Sequence, residues 1–83
     1  MGGFSELQQE LAQSERHLAE GQVRIARQAE FVRELYAYGH DTTFAAKRLL
    51  VLAANLNGME RHREEIEREL SAVRKRAATN LPH

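Results

Sequence analysis

The sequence predicts an all-α fold, an antiparallel two-helix hairpin with a coiled-coil-like seam. Three observations carry this. Apolar residues recur with a seven-residue period through both halves of the chain, the mark of two long helices that pack along one stripe. The only proline is Pro82, beyond both periodic stretches. Between the halves lies one short segment, 35–45, whose residues stop one helix and start another.

Helix 1 is expected over about 6–38. Ser5 followed by Gln8 matches a capping box, which places the helix start at Glu6. Glu6 and Glu10 then lie near the positive end of the helix dipole. Phe4, Leu11, Leu18, Ile25 and Val32 fall seven apart and form the a row. The d row, Leu7, Ser14, Gly21, Gln28 and Leu35, is polar or small in its middle.

The loop is expected at 39–41. Gly39 can take the left-handed conformation that closes a helix at C′. Asp41 is expected to accept a hydrogen bond from a free N–H of the next helix as its N-cap, with Thr42 and Thr43 as competitors. A stop and a start this close make an αα-hairpin.

Helix 2 is expected over about 42–78, followed by a tail at 79–83. Its a row is Leu49, Leu56, Arg63, Leu70 and Ala77, and its d row is Ala45, Leu52, Met59, Ile66 and Val73. Asn55-Leu56-Asn57-Gly58 resembles a helix stop. The heptad phase runs through it unbroken, which favours one continuous helix. Arg63 interrupts the seam and is expected to snorkel to its edge. Arg74, Lys75 and Arg76 suit a helix C-terminus.

Two registers compete. Pairing residues whose numbers sum to about 84 sets Val32 with Leu52, Ile25 with Met59, Leu18 with Ile66 and Leu11 with Val73. It sets Arg63 opposite Gly21, Glu10 near Arg76 and His17 near Glu69. A sum of 77 brings Glu10 near Glu69 and Glu15 near Glu60, so charge favours the first register, by a few tenths of a kcal/mol per exposed pair.

Composition narrows the function. The 83 residues hold one domain, with 12 Lys+Arg against 12 Asp+Glu. A zero net charge argues against a nucleic-acid binder acting through bulk charge. There is no Cys, hence no disulfide or thiolate chemistry, which fits a cytoplasmic protein. The N-terminus lacks the basic and apolar regions of a signal peptide. The apolar run 49–54 is far shorter than the roughly 20 residues of a membrane span.

The tip is more apolar than a hairpin requires. Phe44, Leu50, Val51 and Ala54 lie off the helix 2 seam, and Phe31, Tyr36 and Tyr38 flank the helix 1 seam. A segment apolar on nearly all sides is usually buried, so these seven are expected to form an interface. A second copy is the simplest partner and gives a homodimeric four-helix bundle.

Catalytic, cofactor and metal sites are not expected. Catalysis needs a water-excluding pocket with convergent groups, and two helices do not enclose one. His17 and His62 sit in a repeated Glu-Arg-His triplet, yet no His-x-x-x-His or di-iron Glu-x-x-His pattern includes them. In the sum-84 register they stand about a turn and a half apart. The run 60–69 reads as a solvated charged face with pairs such as Glu64 and Arg68. His40 reads as a turn residue packing on Tyr36 or Tyr38.

The segments Glu-Arg-His-Leu-Ala-Glu-Gly (15–21), Arg-Ile-Ala-Arg-Gln (24–28), Gly-His-Asp-Thr-Thr (39–43) and Met-Glu-Arg-His-Arg-Glu-Glu-Ile (59–66) carry a resemblance. Over about 14–72 the chain resembles a group of short bacterial proteins of unknown function with a Gly-His-Asp-Thr loop between two long helices. The resemblance implies a helical hairpin and a bacterial origin, and no activity. Gln22-Val23 departs from the second Glu-Arg pair usual in that group.

The residues thus predict a small non-enzymatic interaction or scaffolding protein that self-associates. The alternative is a nucleic-acid-associated regulator using Arg24, Arg27, Arg74, Lys75 and Arg76.

Overall fold

The computed structural model describes residues 3–79. Helix α1 spans Phe4–Ala37 and helix α2 spans Thr43–Thr79. They lie antiparallel against each other as one elongated hairpin with principal extents of 70 × 20 × 15 Å. Residues 80–83 of the expected tail lie outside the described residues; Thr79, assigned to that tail, ends α2.

The heptad stripes form the helix–helix contact. Leu7, Ser14, Leu18 and Gly21 of α1 are buried, as are Ala45, Ile66 and Leu70 of α2. All seven are a or d residues. Leu7, Ile66 and Leu70 make a cluster, with Leu11 and Val73 packed on it.

The register is the one that sums to 77, not 84. Leu7 meets Leu70 and Ile66, and Gly21 lies under Leu56 and Met59, not Arg63. A sum of 84 would leave Leu7 facing Ala77 and Phe4 facing position 80. The observed register instead sets Leu7 against Leu70 and Phe4 beside Val73 and Ala77. Burying a large apolar side chain is worth roughly 1.5–3 kcal/mol, against tenths for each exposed charge pair. Glu10 and Glu69 are brought closer by this register, but both carboxylates are exposed and screened by water. Exposed charge pairs are too weak to choose between registers one heptad apart; the apolar contacts at the helix ends choose it.

Polar seam residues are accommodated individually. Gln28 donates its side-chain N–H to the Ala45 carbonyl at 2.9 Å, joining the helices near the turn. Arg63 is half-buried rather than turned fully to the edge: its Nε is buried, makes no hydrogen bond, and lies 3.3 Å from Glu67 Oε1 as an ion pair. Helix α2 is continuous through Gly58, as the unbroken phase requires.

Both expected caps at helix starts need correction. Ser5 is not the N-cap of α1: Gly3 holds that position, Leu7 N–H donates to the Gly3 carbonyl at 3.0 Å, and no side chain caps. The helix starts earlier because Phe4 gains contact there, with Arg74 stacked 5.4 Å over its ring. At α2, Ala46 N–H bonds to the Thr42 carbonyl, so Thr42 occupies the cap position and Asp41 precedes it. Asp41 still satisfies the helix end, as described next.

Candidate functional site

The tip begins with a helix stop built from backbone bonds. Gly39 has φ +75°, the left-handed region. Its N–H donates to the Tyr36 carbonyl at 3.1 Å, and His40 N–H donates to the Leu35 carbonyl at 2.8 Å. This pair of bonds is the Schellman motif, which satisfies carbonyls that a helix end leaves free. Asp41 Oδ1 then accepts from Thr43 N–H at 2.9 Å and from the Thr43 hydroxyl at 2.7 Å. These two bonds, the hydroxyl first, hold the Asp41 carboxyl below its ordinary pKa. His40 is exposed and enters the turn through its backbone.

The turn sets the two helices so that one side of the tip is a trough. Phe31 and Leu35 of α1 face Phe44, Ala45 and Val51 of α2 across it, with Asp41, Lys47 and Arg48 on the rim and Gln28 at its inner end. Its volume is about 860 Å³. Phe44 is 91% exposed, Val51 59% and Phe31 49%.

The seven expected interface residues do not form one face. Phe31, Phe44 and Val51 meet in the trough. Leu50 is exposed outside it, and Ala54 borders a polar groove with Asn57, Glu60, Arg61 and Glu64. Tyr36 and Tyr38 are both 79% exposed near the turn. Sequence reading missed the rim cations Lys47 and Arg48. Heptad position holds that signal: Arg48 and Phe31 both flank the seam on the side where antiparallel helices face each other.

The histidines come together after all. The sum-77 register brings His17 and His62 to one level, where they line a small groove with Glu10, Gln13 and Ser14. Their expected separation along the axis followed from the rejected register. Among the described residues, no three His, Asp or Glu side chains gather as a metal ion would need.

No family model matches the chain, and neither a curated protein nor a solved structure matches it significantly. Among the described residues no helix is long and apolar enough to cross a membrane.

Proposed function

We propose that the chain is a non-enzymatic, self-associating helical hairpin that acts as a protein–protein interaction or scaffolding module. The observation that carries this reading is the trough: three large apolar side chains, Phe31, Phe44 and Val51, line it and stay exposed to water. Contiguous exposed apolar side chains are the usual signature of an unformed interface.

Two whole-molecule quantities support the reading. The chain exposes 6795 Å², whereas a compact monomer of 9.5 kDa exposes about 5,000 Å². Among the described residues only five hydrophobic side chains are buried, which is a thin core for two helices of this length. A homodimer closed over the tip as a four-helix bundle extends the coiled-coil-like seam into a second layer. The likeness to short bacterial hairpin proteins favours a bacterial origin, and the absence of Cys fits a cytoplasmic setting.

Sedimentation over a concentration series tests the reading. Wild type should pass from monomer to dimer, with a melting temperature that rises with concentration, because assembly and folding are linked. Phe44→Glu with Val51→Lys should keep the chain monomeric, while charge exchanges at Arg61 and Glu65 should leave assembly intact. A wild type that stays monomeric at high concentration rejects self-association.

A further inference from the structure

We propose that the second copy docks end for end on the tip trough, about a two-fold axis that crosses the hairpin beside Phe31, so that the two rods overlap only at their tips. The proposal rests on the self-association reading and adds its geometry.

The argument comes from positions along the rod. Arg27 and Glu34 lie one turn before and one turn after Phe31, on the same face of α1. Phe44 and Val51 lie two turns apart on α2 and both border the trough. In the sum-77 register the midpoint of Phe44 and Val51 falls at level 29.5 of α1, and the midpoint of Arg27 and Glu34 at level 30.5. The two centres therefore agree to about 1.5 Å along the axis. One two-fold axis at that level, running across both helices, lays α1 on α1 and α2 on α2 in opposite directions. It sets Arg27 against Glu34 of the second copy, twice by symmetry, and Phe44 against Val51 of the second copy, also twice. Arg48 comes level with Phe31 of the second copy, where a guanidinium can lie on the ring.

The competing arrangements fit less well. An end-for-end pairing along the full length would lay the apolar tip over the charged stretch 60–69. A pairing with both tips at the same end sets α1 of one copy on α2 of the other, and Arg27 then has no carboxylate at its own level on the facing helix. The overlapping footprint is about 24 Å long, counting 1.5 Å per residue over the shared levels, on a rod 20 Å wide. That is small against the roughly 800 Å² per partner of a standard interface, and falls in the size class of transient contacts.

Two measurements test the geometry. In small-angle scattering, two 70 Å rods overlapping by about 24 Å give a maximum dimension near 115 Å, and side-by-side rods give little more than 70 Å. In sedimentation, Arg27→Glu and Glu34→Arg should each raise the dimer Kd about tenfold, and the double exchange should return it to within about twofold of wild type. Circular dichroism of the dilute monomers should stay unchanged. A dimer near 70 Å, or a double exchange that fails to recover binding, overturns this arrangement and leaves self-association standing. A wild-type monomer at high concentration overturns both and leaves the trough to a different protein.

Discussion

Asp41 and the glycines show how single positions shape the hairpin. The Asp41 carboxylate accepts two bonds from Thr43, and these lower its pKa. A depressed folded pKa contributes stability above the unfolded value of about 4 that is lost as pH falls through the folded one. The melting temperature of wild type should therefore exceed that of Asp41→Ala at pH 6, and the gap should narrow as pH falls below about 4. A gap independent of pH would show that the carboxylate charge is not what matters. Gly58 lies inside α2 with nothing within 4 Å of an added Cβ. Gly58→Ala should stabilise by about 0.8–1 kcal/mol in chemical denaturation. Gly21→Ala should gain clearly less, because its Cβ would sit 3.1 Å from Leu56 Cδ1. Gly39 was readable in advance, since only a residue free to take positive φ closes a helix this abruptly. Ser5 was not: a capping-box pattern is local, and the contact of Phe4 with Arg74 that overrode it is made across the hairpin.

At the scale of the helices, the heptad rows identified which residues meet but not at which level. All the buried positions are a or d residues, so the seam was legible down to its polar members. A seven-residue repeat looks the same after a slip of seven, and only the helix ends and the turn distinguish the two registers. That is why Leu7 and Phe4, at the end of the rod, decide what Glu10 and Glu69 could not. The register has a direct test. Leu7→Ala and Leu70→Ala should each cost roughly 2–5 kcal/mol, and together should depart from additivity by at least 0.5 kcal/mol, since the two side chains share a cluster. Leu18→Ala and Ile66→Ala, now a heptad apart along the axis, should add within about 0.5 kcal/mol. The reverse pattern in the two cycles would restore the sum-84 register.

The whole molecule is a rod. Its radius of gyration of 19.2 Å compares with about 12 Å for a compact chain of this length. The tip was legible as an apolar surplus, but its division into a trough and its surroundings was not. Side-chain direction around α2 is known only once the facing helix and its level are known. The buried cluster of Leu7, Ile66 and Leu70 lies at the end where α1 begins and α2 finishes, while six of the large apolar side chains left in water, Phe31, Tyr36, Tyr38, Phe44, Leu50 and Val51, lie towards the turn. The rod is thus firm at one end and loose at the other, and its backbone should breathe unevenly. Amide hydrogens near Phe31 and Val51 should exchange with deuterium faster than those near Leu11 and Ile66 in the dilute protein. The gap should close as concentration rises, because a partner seated on the trough ties down the half that the hairpin alone leaves slack; equal rates along the rod would mean that the cluster does not anchor it.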